Sequence, residues 1–183
     1  MKDLKVIDKT WTLFLDRDGV INYEKENEYV NKWEDFRFYE GAKEAIKKFT
    51  QKFGLVLIIT NQRGVGRGIT RLEDLELMNE NLLKEVASNG GKISKIFFCT
   101  DTDETSPNRK PNTGMGLQAQ REFPQIVFLK TMMIGNTKGD MEFGRNLGVA
   151  INVFIPSKYP VSQLPDGVYD MVFPDLISIA NAL

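Results

Sequence analysis

The chain predicts an α/β domain of the three-layer, doubly wound Rossmann-like type, built on a parallel sheet. Three observations carry that prediction. Apolar runs of strand length recur along the sequence, amphipathic stretches of helix length alternate with them, and Gly, Pro, Asn and Asp punctuate the breaks. At 183 residues the chain suits one domain, 1–183, long enough to bury a sizeable core.

Thr12 to Leu15 reads as the first strand. Gly41 to Phe53 reads as a helix, with Ala42, Ala45, Ile46 and Phe49 on one face and Gly54 as its stop. Leu55 to Ile59 is a continuous apolar run, as expected of a central parallel strand covered on both faces. Leu72 to Ala87 is the next helix, with Leu75, Met78, Leu82, Leu83 and Val86 at helical spacing and Asn89-Gly90-Gly91 behind it. Ile93 to Phe98, Thr131 to Ile134, Ala150 to Ile155 and Met171 to Phe173 supply further strands. Helices over Gly114–Phe123 and Lys138–Leu147, and one carrying Leu176, Ile177, Ile179 and Ala180, complete the alternation. The segment from Val20 to Tyr39 breaks the rhythm. It is polar and aromatic without a helical period, and fits a small hairpin or flap inserted at 20–40, or an irregular loop.

Composition narrows the chemistry. The chain has no histidine, which excludes a Ser-His-Asp triad, a histidine base and any His-ligated metal. Its single cysteine, Cys99, excludes an internal disulfide and a cysteine-rich zinc site. Catalysis, if present, must then rest on Asp, Glu, Lys, Arg, Thr, Asn and metal ions, with a hard cation bound by oxygen ligands as the natural candidate. With 24 basic and 25 acidic residues, the balance argues against a nucleic-acid-binding surface, though not against a local phosphate pocket. No apolar run approaches the ~20 residues of a membrane span, and the N-terminus lacks a signal-peptide pattern. The cytoplasm is the default location, and a chain of this size with a small flap is most simply a monomer.

The first strand runs into Asp16-Arg17-Asp18-Gly19. Carboxylates two residues apart on an extended chain point to the same side, so they can share a metal or divide nucleophile and acid roles. Alone, the pattern also fits a surface turn. Other strand ends add weight: Thr60-Asn61-Gln62-Arg63 after the second, Arg109-Lys110-Pro111 beyond the third, and Gly135-Asn136-Thr137-Lys138-Gly139-Asp140 after the fourth. Parallel topology puts all of these on one edge of the sheet.

In this order and spacing the motifs resemble those of haloacid dehalogenase superfamily phosphatases. They are most similar to the D-glycero-D-manno-heptose 1,7-bisphosphate phosphatase and histidinol-phosphatase group. The resemblance rests on Asp16 to Asn22, on Thr60-Asn61-Gln62 with Gly64 and Arg67-Gly68, and on Arg109-Lys110-Pro111 with Gly114-Met115. It implies Asp16 as the nucleophile that forms an aspartyl-phosphate, Asp18 as general acid and base, and Lys110 as the fixed positive charge. Thr60, Asn61, Gln62, Arg63 and Arg109 become substrate-binding candidates. Asp16, Asp18, Asn136 and Asp140 become candidate ligands of Mg²⁺, with Asp18 binding through its backbone carbonyl.

Two departures from the family pattern stand out. The fourth motif usually begins Gly-Asp, whereas here it is Gly135-Asn136, a neutral oxygen ligand in place of an anionic one; Asp140 follows one helical turn later. Many relatives also carry a Cys/His zinc cluster between the third strand and the Arg-Lys-Pro motif. This chain has Cys99 followed by Thr100 to Asn108 without His or Cys, so no zinc is expected. The functional expectation is a Mg²⁺-dependent phosphatase of a small sugar phosphate. Histidinol phosphate or another small phosphomonoester is the same-class alternative, and a non-catalytic phosphate- or metal-binding domain the other. A phospho-receiver domain is set aside, because its acceptor Asp ends the third strand and here that strand ends at Phe98-Cys99.

Overall fold

Apolar strands that are covered on both faces dictate the architecture seen in the computed structural model, which describes residues 2–24 and 29–183. Six parallel strands, β1 (Thr12–Leu15), β2 (Leu55–Asn61), β3 (Lys95–Cys99), β4 (Thr131–Gly135), β5 (Ile151–Phe154) and β6 (Met171–Val172), lie in the order 3-2-1-4-5-6. The period-two alternation of side chains divides the core cleanly. Leu13 and Leu15 face a cluster with Ile46 and Phe49 of α1 (Ala42–Lys52), Leu75, Met78 and Leu82 of α3 (Leu72–Ser88) and Ile179 of α6 (Leu176–Ala182). Phe14 faces the opposite cluster, with Met115 and Ala119 of α4 (Gly114–Glu122) and Met141, Phe143 and Leu147 of α5 (Lys138–Leu147). Helices therefore cover both faces, as a doubly wound sheet requires.

The predicted elements are all present. Strand ends shift by one or two residues. In β2 the backbone ladder outlasts the apolar run and continues through Thr60 and Asn61, which pair with Phe98 and Cys99. A one-turn helix, α2 (Arg63–Gly66), occupies the glycine-rich stretch after β2. Between β1 and α1 the chain folds back on itself. Asn22 bridges Phe38 in antiparallel sense, with Tyr23 N donating to the Arg37 carbonyl at 2.9 Å and Tyr39 N to the Ile21 carbonyl at 3.0 Å. A 3₁₀ turn at Trp33–Asp35 places Trp33 against Phe36, and both against Phe38. This is a bridge-closed excursion rather than a laddered hairpin. Residues 25–28 of the predicted flap lie outside the described residues. Among the described residues, no helix is long and apolar enough to cross a membrane.

The strand order reverses direction between β1 and β4, creating the crevice where open α/β sheets bind ligands at the carboxyl ends of their strands. Asp16 follows β1 there, with its backbone N–H donating to the Ile134 carbonyl of β4 at 2.9 Å.

Candidate active site

The centre of this crevice is a buried charge cluster. The ammonium of Lys110 reaches Asp16 Oδ1 at 2.8 Å, Asp140 Oδ1 at 2.5 Å and the Ile59 carbonyl at 2.7 Å. A lysine has three N–H donors and all are used, so its charge is fixed in place. Its side chain is 3% exposed, that of Asp16 9% and that of Asp140 2%. Two carboxylates thus share one cation in a buried pocket.

The electrostatics follow from that count. Burial pushes the Asp16 carboxyl up and the Asp140 charge adds to it, outweighing Lys110, so Asp16 is raised to about 7. Burial works against the Lys110 ammonium, but Asp140 and Asp16 outweigh it and hold the lysine charged above its usual range.

Asn61 positions Lys110 from β2. Its Oδ1 accepts from the Lys110 backbone N–H at 3.0 Å, and its Nδ2 donates to the Lys110 carbonyl at 3.1 Å. The side chain of Asn61 is thus spent on the lysine's backbone, which leaves its own backbone amide as the group expected to meet phosphate. Asn61→Ala removes both contacts, at about 1–2 kcal/mol of stability. Thermal melts of the variant against the natural protein check this loss.

Asp140 is engaged by the protein at both oxygens. Its spacing from Asn136 suggested a metal ligand, but both its oxygens are committed. Oδ1 meets Lys110, and Oδ2 accepts from Asn136 N at 3.2 Å, Thr137 N at 2.9 Å and Thr137 Oγ1 at 2.7 Å. Thr137 Oγ1 in turn accepts from Asp140 N, closing a capping box on α5. The helix N-terminus and the lysine satisfy this carboxylate.

Asp18 lies in a separate polar web. Arg17, 1% exposed, donates through Nη2 to Asp18 Oδ1 at 3.1 Å, Oδ2 at 3.0 Å and Gln62 Oε1 at 3.1 Å, and through Nη1 to Asn79 of α3 at 3.2 Å. Asn22 Nδ2 donates to Asp18 Oδ1 at 2.9 Å and Gln62 Nε2 to Oδ2 at 2.8 Å. Burial pushes the Asp18 carboxyl up. The Arg17 charge and these hydrogen bonds overcome that, so the group ends below its ordinary value. Gln62 also donates to Thr60 Oγ1 at 2.9 Å, linking two of the predicted substrate contacts.

A cleft of about 160 Å³ opens over this web, walled by Arg17, Asp18, Glu24, Tyr29, Asn61, Gln62 and Lys158. Arg63 and Arg109, expected to bind substrate, are absent from its lining. Arg63 donates to the Thr102 carbonyl at 3.3 Å and Arg109 to the Asp101 carbonyl at 3.4 Å, so both brace the loop after β3. That loop is tied by Ser106 to Asp101, by Thr105 N and Oγ1 to Asp103 Oδ1 at 2.8 Å, and by Asn112 to the carbonyls of Glu104 and Ser106. Sequence reasoning missed Glu24, Tyr29 and Lys158 as cleft residues. Lys158 carried one available signal: it lies four residues past the end of β5, on the same edge of the sheet.

Asn136 is fully buried, and its Oδ1 has no hydrogen-bond partner. A buried amide oxygen left unpaired costs about 1–3 kcal/mol, so its presence calls for a ligand. Gly19 keeps the space open for this side chain. With φ +80°, it brings its backbone so close that an added Cβ would lie 1.9 Å from Asn136 Nδ2. Among the described residues no three His, Cys, Asp or Glu side chains converge as metal ligands. The oxygen set that fits a hard cation is therefore mixed: carboxylate, amide and backbone carbonyl.

An aspartate at the switch point of a parallel sheet, a lysine bound to it and a polar strand end beside it thus share one crevice. Residues 12–158 match the family model described as polynucleotide kinase 3 phosphatase. The chain is 39% identical over 173 residues to D-glycero-alpha-D-manno-heptose-1,7-bisphosphate 7-phosphatase of Campylobacter jejuni, covering 94% of this chain and 95% of that one. It is 40% identical over 161 residues to the beta-heptose enzyme of Helicobacter pylori, covering 83% and 88%. Among solved structures, D,D-heptose 1,7-bisphosphate phosphatase from B. bronchiseptica, complexed with magnesium and phosphate, superimposes with a TM-score of 0.83 at 26% identity, over 93% of this chain and 96% of that one. The chain belongs to this phosphatase family of the haloacid dehalogenase superfamily.

Proposed function

We propose that the protein is a Mg²⁺-dependent phosphatase that hydrolyses a heptose 1,7-bisphosphate through an aspartyl-phosphate on Asp16. The observation that carries the reading is the Asp16–Lys110–Asp140 cluster, set beside the unpartnered Asn136 oxygen at the β1/β4 crevice. An ionised Asp16 oxygen attacks phosphorus, the P–O bond to the sugar breaks, and the sugar oxygen takes a proton from Asp18. Water then attacks the phosphorus of the aspartyl-phosphate while Asp18 accepts its proton. Phosphate leaves and Asp16 is restored.

Arg17 holds Asp18 ionised in the resting protein, which suits the base step. The negative charge of an incoming phosphate raises the carboxyl toward the protonated form the acid step needs. Thr60 and Gln62 contact phosphoryl oxygens. Arg109 meets a second phosphate once it releases the Asp101 carbonyl. Asp16, the Asp18 carbonyl and Asn136 hold the cation, and Asp140 is left to Lys110. The cation supplies charge neutralisation between the carboxylate and the phosphate dianion.

Relatives of near-equal identity are named for opposite anomers, so the test must offer both. Phosphate release is measured with Mg²⁺ on alpha- and beta-heptose 1,7-bisphosphate, histidinol phosphate and a 3′-phosphorylated oligonucleotide. The expected outcome is release from the 7-position of one heptose anomer, faster by at least about tenfold than from any other substrate and abolished by chelation. Equal, slow release from all four would defeat the substrate assignment, and no release above that of Asp16→Asn would defeat the catalytic one.

A further inference from the structure

The replacement of the family's usual aspartate by Asn136 removes one negative charge from a cation site, and a carboxylate outside that motif stands against the amide. Asn136 Nδ2 donates to Ser157 Oγ at 3.0 Å and to Glu24 Oε1 at 3.4 Å. Glu24 is held there by Lys158, whose Nζ lies 3.2 Å from its Oε2. The Gly19 backbone closes in on the same contact, since a Cβ at that position would meet both Asn136 Nδ2 and Glu24 Oε1. An ionised carboxylate only accepts hydrogen bonds, so Glu24 decides which way the amide faces: nitrogen toward the carboxylate, oxygen away from it. Ser157 alone cannot decide this, because a hydroxyl both donates and accepts. The oxygen left over is the buried, unpartnered Asn136 Oδ1.

We infer that Glu24 is a positioning residue for the cation. It orients Asn136 Oδ1 toward the site and, by accepting from Nδ2, polarises the amide so that its oxygen carries more negative charge. The charge missing at position 136 is thereby supplied one hydrogen bond further out. The logic is that of a carboxylate behind a metal-bound imidazole, where the outer partner fixes the ligand's orientation and raises its basicity. The inference rests on the cation site proposed above.

The test is a titration of the full-length, metal-free protein with Mn²⁺, followed by the electron paramagnetic resonance of the free ion, without substrate. Glu24→Gln keeps the size but loses the charge. It also gains an NH₂ that lets the amide flip, so Mn²⁺ binding should weaken roughly tenfold, the low end of outer-partner effects. Asn136→Asp should tighten binding. In that background Glu24→Gln should cost less than threefold or become favourable, because Glu24 then faces a like charge. Metal-free melting temperatures of all variants verify folding; Glu24 sits at the cleft wall, 22% exposed, where glutamine is accommodated.

A Glu24→Gln effect below twofold in the natural background overturns the inference. So does an equal loss in both backgrounds, which would mean a through-space charge rather than action through the amide. Asp16→Ala separates the two levels. If the natural protein binds no Mn²⁺, or binds it equally well without Asp16, the cation site itself is wrong and the inference falls with it. If Asp16→Ala abolishes binding and Glu24→Gln does not weaken it, only the inference fails.

Discussion

Asp16→Asn is expected to abolish phosphate release, by more than about 10³-fold, while making the metal-free protein more stable at neutral pH. The two effects share one cause. In the folded protein Asp16 and Asp140 compete for the Lys110 ammonium in a buried pocket. Removing the Asp16 charge leaves a one-to-one Lys110–Asp140 pair, and an amide retains an oxygen for the lysine. Because the Asp16 carboxyl is pushed up to about 7, the folded state holds a proton there that the unfolded chain, with its ordinary carboxylate near 3.8, has already lost. Between those values the folded state binds more protons. This group's contribution to stability therefore falls as pH rises from about 4 to 7, and stays low above that.

Asp16→Asn lacks that titration. Melts of metal-free protein should show natural and variant chains nearly equal at pH 4 and diverging up to pH 7.5, where the variant leads by about 1–3 kcal/mol, or some 2–4 °C per kcal/mol for a chain of this size. A variant less stable at pH 7.5 would mean that Lys110 serves both carboxylates without strain. Added Mg²⁺ should raise the melting temperature of the natural chain and leave the variant nearly unmoved, since only the former offers the ion an anionic oxygen.

The extent to which the site was legible in the sequence depended on what each residue answers to. Leu13, Phe14 and Leu15, or Val56 to Ile59, are apolar because helices cover both faces of the sheet, and an uninterrupted apolar run announces that directly. Once those strands are parallel, their carboxyl ends must share an edge, so Asp16, Thr60 and Asn136 are brought together by topology, whereas Lys110, well past the end of β3, is set among them by the Asn61 clamp. What failed was role rather than place. Asp140 looked like a cation ligand because it is one turn from Asn136, yet Thr137-Lys138-Gly139-Asp140 is also a helix-start pattern, and the helix N-terminus took the carboxylate.

Asn61 sits where a strand end meets a ligand, but its amide pairs with the Lys110 backbone across 49 residues, which no local pattern encodes. Glu24 and Lys158 were invisible for the same reason. Each lies in a polar loop that reads as solvated surface, and their meeting depends on how the excursion after β1 packs over the end of β5. Arg17 is the sharpest case. Between two acids it reads as a surface charge, whereas it is among the largest fully buried side chains and ties Asp18 to Asn79 of α3.

The second large effect separates the scaffold role of Lys110 from its chemical one. Lys110→Met removes the only charge partner Asp16 and Asp140 share while leaving both carboxylates in the same buried pocket. Stripping one partner from a buried ion pair costs about 3–5 kcal/mol, because the remaining charge is left uncompensated. The loss should grow with pH, since protonation is the cheapest relief and Asp16 would take up a proton more readily still without the ammonium. Adding Asp140→Asn to Lys110→Met removes one of the two stranded charges while preserving an oxygen for the Thr137 cap. The double variant should regain about half of the lost stability in denaturant melts at pH 7.5. Its phosphate release should not return. Hydrolysis needs a fixed positive charge beside the Asp16 oxygen as phosphorus approaches, and a repacked neutral pocket offers none. Recovery of both stability and turnover in the double variant would make Lys110 a structural counter-ion only. Recovery of stability alone places the ammonium in the chemistry, because the fold would then be intact and the one missing part would be the charge.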